Sequence, residues 1–201
     1  MAAASKNSST LTRESILDAA IRLFQSHGFN GLGMRQIADN LNIKAPSLYH
    51  HFPSKEVLAQ QALLQYRENQ MIRLRLIEEK VLLADRLYGY VELFAEMLSD
   101  GRRPCMYLAM MNESTYKEDF CAEELKLFAK QNIDWLENVL REAQYGANSR
   151  AAISERNMAE IIFSSLEGVT VISLADENPS EAFRERAANF LKLVIGVAES
   201  P

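Results

Sequence analysis

Little in this sequence is built for covalent or metal chemistry. It has two cysteines, Cys105 and Cys121, and three histidines, all of them between residues 27 and 51. Two thiols so placed do not make a metal site, and a structural disulfide would be unusual in a cytosolic chain. No glycine-rich phosphate loop and no acid pair accompany the histidines, which argues against an enzyme built on Cys105 and a histidine, and no cofactor is expected. Also missing is any run of about 18 apolar residues, the length a membrane helix needs. The most apolar stretch, 161–175, is interrupted by Ser164, Ser165 and Glu167 and reads as a buried helix. The opening MAAASKNSST lacks the apolar segment of a signal peptide, so a short disordered arm, a cytoplasmic location and no membrane partner are expected. Alternating β patterns and Asn-Gly hairpins are absent as well. The fold expected is all-α.

What remains is an ordinary globular composition, 48% hydrophobic and 24% charged over 201 residues, enough for one large or two small cores. A formal charge of −5 argues against a nucleic-acid partner, because phosphate binding needs concentrated Lys and Arg. The distribution of that charge points the other way. Residues 1–60 hold six basic against four acidic side chains, while the other 141 residues hold 16 against 23. Such asymmetry suits a small DNA-facing module on an acidic body.

Helix signals run the length of the chain. Thr12 can cap a first helix, with Leu11 and Ile16 as a hydrophobic staple and Ile16, Leu17, Ala20, Leu23 and Phe24 on the buried face. Gly28 is placed to stop it near residue 27. A short second helix spans about 34–41, and Asn42, which tolerates the left-handed region, turns the chain. A third begins near Pro46 and stops by Phe52, because Pro53 disfavours helix in its predecessor. Ser54 caps a fourth, from 55 to roughly 80, long enough to connect two domains. Later helices are expected near 85–99, 105–113, 123–144, 154–175 and 179–199, separated by Gly, Pro, Asn and Asp clusters.

Two short helices joined by a tight turn, the second polar on its outer side, have the geometry of a DNA-reading helix-turn-helix. Leu48 and Phe52 share one side of the third helix, leaving Ser47, Tyr49, His50 and His51 for the others. Lys55 adds charge at the positive end of the next helix. The run from Gly28 to Leu58, above all Leu48-Tyr49-His50-His51-Phe52-Pro53-Ser54-Lys55-Glu56-Val57-Leu58, strongly resembles the tetracycline-repressor (TetR) family. The resemblance covers residues 12 to about 65. It implies a homodimer of about nine helices per chain. After the arm at 1–11, residues 12–58 would form a three-helix DNA-binding domain, and 59–201 an effector-binding and dimerisation domain. By the same resemblance Tyr49 and Lys55 would hold the DNA backbone, while Lys44, Ala45, Ser47 and His50 would touch operator bases or nearby phosphates. Gly33 stands where the family usually has a Thr or Ser cap, and Asn42 where it usually has Gly. Both remain acceptable there, so altered helix stability rather than lost binding is expected.

The function implied is a repressor of double-stranded operator DNA, released when an unidentified small molecule binds among helices four to eight and the fourth helix changes the spacing of the two reading heads. Tyr107 and Trp135, each with a large apolar body and a polar tip, rank first as pocket residues, with Met106 and Phe163 beside them. Apolar surface on more than one side makes the last two helices the expected dimer interface: Ile161, Ser165, Val169 and Ile172 on one, Phe183, Ala187, Phe190 and Val194 on the other. A rival mechanism uses the same fold as a thiol-based sensor. Cys105 opens a helix behind Arg102, Arg103 and Pro104, a setting that lowers thiol pKa. Cys121 has acidic neighbours that would raise its own. A regulator without an effector, an activator and a helical adaptor that binds no DNA are the other readings kept.

Overall fold

Caps and breakers do set the N-terminal helices. The structure, a computed structural model, describes residues 12–111, 119–145 and 153–198. Thr12 accepts a hydrogen bond from the Ser15 N–H at 3.2 Å and starts α1 (Arg13–His27); Leu11, its expected staple partner, and the arm at 1–11 lie outside the described residues. Gly28 ends α1 with φ 67° and donates its N–H to the Phe24 carbonyl at 2.8 Å. In α2 (Met34–Asn40) the missing side-chain cap at Gly33 is replaced from within, because Gln36 Oε1 accepts the Gly33 N–H at 2.7 Å. Asn42 turns the chain at φ 54°, as its tolerance for that region suggested, and the Ile43 N–H closes the turn on the Ala38 carbonyl. α3 (Ala45–His51) carries Pro46 in its first turn, where a missing N–H costs nothing. Ser54 then caps α4 (Lys55–Glu78) by accepting the Val57 N–H.

The body is made of α5 (Leu83–Ser99), α6 (Met106–Met111), α7 (Asp119–Glu142), α8 (Glu155–Ser173) and α9 (Pro179–Ala198). Its main packed pairs are α5 with α9, α7 with α8 and α4 with α7. The far ends expected for the sixth and ninth helices, at 112–113 and 199, lie outside the described residues. No strand occurs among the described residues, and no helix there is long and apolar enough to cross a membrane.

Two apolar cores result. One gathers Ile16, Ala20 and Phe24 of α1, Ile37 and Ala38 of α2, Leu48 of α3 and Leu58, Ala59, Ala62 and Leu63 of α4. Met106 and Met110 of α6 and Cys121 and Leu125 of α7 belong to this core too, so the body reaches into the head. The other core holds Leu74 and Ile77 of α4 with the apolar faces of α5, α7, α8 and α9.

Phe183, Ala187 and Val194, expected to face a second subunit, are at most 3% exposed inside this core. Phe183 stacks on Phe94 with ring centroids 5.8 Å apart, because the broad apolar face of α9 is turned onto α5. Ile161 and Ile172 are exposed, and Ser165, Val169 and Phe190 are half-buried. Val171 and Leu193, not singled out from the sequence, are also exposed.

Gly31 is the tightest joint of the head. A Cβ there would lie 2.1 Å from the carbonyl oxygen of His27, a backbone atom that closes α1 and cannot swing aside. Gly31→Ala should therefore destabilise the protein by about 1–3 kcal/mol in urea unfolding, while Gly33→Ser, whose Cβ meets only ordinary contacts, should shift it by less than about 0.5 kcal/mol. Equal stabilities of the two variants would contradict this account.

Candidate functional site

α3 is held by its inner face alone. Leu48 and Phe52 are fully buried, and Asn42 and Pro46 sit at the surface, so the turn presents the helix without covering it. Lys44 caps its start with extended backbone and an exposed side chain. Ser47, Tyr49 and His50 are exposed, Tyr49 at 46%, and Ala45 and His51 are half-buried. The His50 and His51 rings meet edge to face at 5.6 Å. A phenol, two imidazoles, a hydroxyl and an ammonium are thus carried on α3 and its N-cap. Such groups donate to phosphate oxygens and read base edges without any covalent step.

Lys55 is placed differently from its neighbours. Its ammonium donates to the Phe29 carbonyl at 2.9 Å and lies 3.9 Å from the centre of the Phe29 ring. It therefore ties the start of α4 to the α1–α2 connection, and only part of its three-donor capacity is left for a phosphate.

The second constellation lies in the body, where α6, α7 and α8 line a cavity of about 680 Å³ that is open to solvent. Tyr107 and Phe163 form an aromatic corner, their ring centroids 5.6 Å apart, and Ala129, Ile133 and Ile161 continue the apolar wall. The polar lining is Asn157, Glu160, Ser164 and Glu167. The cavity thus contains two of the four residues expected from the sequence. Trp135 instead stacks on Tyr90 in the body core at 5.4 Å, 3% exposed, and Met106 is fully buried in the head's core. Both are corrections with one cause: α6 and α7 are apolar on two sides, and periodicity does not say which side meets which neighbour.

Glu167 is the residue that sequence reasoning missed. It is buried; its Oε1 accepts from the Cys105 thiol at 2.9 Å, and its Oε2 has no partner among the described residues. Burial raises its pKa from the usual 4.5 to about 7, partly offset by the thiol hydrogen bond. A lone acid in the apolar stretch 161–175 was the available signal.

Cys105 is not the activated thiol that its neighbours in sequence suggested. It is 1% exposed, and burial, then the Glu167 carboxylate, push its pKa well up. The two arginines turn away from it: Arg102 donates to the carbonyls of Leu174, Asp176 and Glu177, and Arg103 pairs with Asp100. Cys121 is fully buried and raised to about 12, by burial first and by Glu124 and Glu56 after it.

Among known proteins, the family described as bacterial regulatory proteins of the tetR family matches residues 16–62. The HTH-type transcriptional regulator UidR of Escherichia coli K12 is 32% identical over 127 residues, covering 57% of this chain and 65% of its own length. The biofilm operon icaADBC HTH-type negative transcriptional regulator IcaR of Staphylococcus aureus is 42% identical over 50 residues, 25% of this chain and 27% of that protein. The crystal structure of a TetR-family transcriptional regulator from Agrobacterium tumefaciens superposes with a TM-score of 0.80 over 90% of this chain and 96% of its own, at 22% identity, a likeness of fold. The alignment with UidR thus spans just under two thirds of that relative.

Two outcomes follow from the buried pair. Because the folded chain keeps the Glu167 proton that the unfolded chain gives up near 4.5, the stability Glu167 contributes is full below that pH and is lost as pH climbs through about 7. Glu167→Gln cannot ionise, so its stability relative to wild type should rise by roughly 2–3 kcal/mol between about pH 5 and about pH 8 in urea unfolding; parallel pH profiles would refute this. Native protein at about pH 8 should also react with a thiol reagent at least about a hundredfold more slowly than urea-unfolded protein at both cysteines. Fast labelling of Cys105 would restore the sensor reading.

Proposed function

Because this chain belongs to the tetR family of bacterial regulatory proteins, we propose that it is a DNA-binding transcriptional repressor that acts as a homodimer and leaves its operator when a small molecule fills the cavity behind α6. The observation that carries the reading is the outward face of α3, where Ser47, Tyr49 and His50 are exposed on a helix fixed from behind by Leu48 and Phe52. We assign Tyr49 to the DNA backbone, and Lys44, Ala45, Ser47 and His50 to base edges and adjoining phosphates. Lys55 chiefly positions the start of α4, its remaining donors reaching the backbone. IcaR, by its name a negative regulator, favours repression over activation.

The exposed apolar residues Ile161, Val171 and Ile172 of α8 and Leu193 of α9, with half-buried Phe190, supply the surface on which two chains meet. In that dimer each chain offers one α3 to the major groove, and the distance between the two sets affinity. A cytoplasmic location suits this role, and no catalytic step is assigned.

Release runs through α6. Tyr107 stands in the cavity wall, while Met106 and Met110 of the same helix are packed in the head's core. Gln25 of α1 donates to the Pro104 carbonyl at 2.9 Å, just ahead of α6. A ligand that displaces Tyr107 moves a helix whose other side is part of the head, and close-packed cores shift rather than stretch. α4, which runs through both cores, carries the same displacement along its axis.

Fluorescence anisotropy on labelled duplex from upstream of the protein's own gene tests this reading. Wild type should bind at nanomolar concentration and weaken steeply with salt, and Tyr49→Ala and His50→Ala should each weaken it by about tenfold or more with the fold intact. Binding that ignores salt and both substitutions would remove DNA recognition from α3.

A further inference from the structure

We propose that the body cavity is selective for an aromatic or strongly apolar molecule bearing one protonated amine, with the Glu167 carboxylate as its counter-charge. The proposal rests on the effector-cavity reading above and adds the ligand's chemistry to it. Four observations lead there. Glu167 contributes to the cavity wall and is buried, and its Oε2, closed off from solvent, has no hydrogen-bond partner among the described residues. An unpaired buried acceptor costs free energy unless a ligand supplies its donor. Its hydrogen-bond partner among the described residues, the Cys105 thiol, is a weak and neutral donor. Among the described residues, no Lys or Arg forms an ion pair with Glu167.

The charge of the wall points the same way. The charged side chains lining the cavity are Glu160 and Glu167, both acidic. Glu160 is already paired with Arg156 at 3.0 Å, which leaves Glu167 as the acid with an open valence. A smaller recess of about 270 Å³ adjoins at Tyr107, Ala129 and Ile133 and carries Lys126, Lys130 and Arg156. Lys130 is paired with Asp134, and Arg156 with Asp134, Glu137 and Glu160, which leaves the exposed Lys126 as the cation there without an ion pair among the described residues; Lys126 does not line the larger cavity. Tyr107 and Phe163 add aromatic surface, which attracts a cation as well as an apolar body. The volume, about 680 Å³, is that of sites for drug-sized ligands.

Binding of the cation stabilises the ionised form of Glu167, which the empty protein disfavours by burial. The binding energy then offsets the cost of a buried charge, and a neutral ligand of the same shape gains nothing from it. Selectivity thus comes from a penalty that the empty protein carries whenever Glu167 is ionised.

The test is calorimetry on the whole protein, without DNA, at about pH 8, where Glu167 is mostly ionised. Three probes of one shape are compared: 1-naphthylmethylamine, neutral 1-naphthalenemethanol and anionic 1-naphthoate. The amine should bind about tenfold or more tightly than the alcohol, and the naphthoate weakest. Glu167→Gln should abolish that preference by weakening the amine alone. Should Glu167→Gln fail to fold, Ser164→Trp, at an exposed position of the wall, should exclude all three probes while the circular dichroism of the fold is kept. Equal affinity for amine and alcohol, an unchanged amine affinity in Glu167→Gln, or no amine binding up to about 5 mM would each overturn the proposal. A parallel anisotropy titration separates the two readings. If the amine binds with the stated preference but leaves the DNA complex intact, the cavity's chemistry stands and the release mechanism falls.

Discussion

Two apolar cores share one continuous helix, and the architecture follows from that sharing. α4 supplies Leu58, Ala59, Ala62 and Leu63 to the head and Leu74 and Ile77 to the body. Twenty-four residues rise about 36 Å, so one rod spans both cores and fixes their orientation. Between its two apolar ends the helix is polar: Gln70 meets Asn132, and Arg67 meets Glu124. The same rod would be a poor transmitter alone, since it is anchored at both ends. α6 provides the second link, short enough to be moved and packed on both sides.

That double anchoring explains which features were legible in the sequence and which were not. Local chemistry was readable: Thr12 and Ser54 cap as their hydroxyls require, Pro53 limits α3, and Asn42 takes the left-handed turn. These depend on a residue and its near neighbours. Met106, Trp135, Phe183, Ala187 and Val194 were misplaced because each lies on a helix with more than one apolar side. Periodicity finds such stripes but does not assign their partners, which depend on how distant helices cross. Cys105 failed for the same reason. Its cationic neighbours along the chain point elsewhere in space, and the acid that governs it is 62 residues away.

The polar groups inside the protein fall into two kinds. Asn132 donates to the Phe128 carbonyl and accepts from Tyr90 and Gln70, a closed network that holds α4, α5 and α7 in register. Glu167 is open, with one oxygen satisfied and the other not. A closed network strengthens a core, whereas an open one is a cost retained for some reason other than packing. The network ties α7 to α4 and α5, while the open acid reaches from α8 to Cys105, just ahead of α6.

The cavity wall has an evolutionary consequence. Ala129, Ile133 and Ser164 line the cavity yet belong to neither set of fully buried core residues. Replacing them alters the room and chemistry offered to a guest at little expense in folding free energy. Met106 and Met110, one helix away, have no such latitude, because each is wholly enclosed in the head. On the proposed effector reading, descendants of this gene can therefore drift toward new chemical signals through a few tolerated substitutions while inheriting the transmission unchanged.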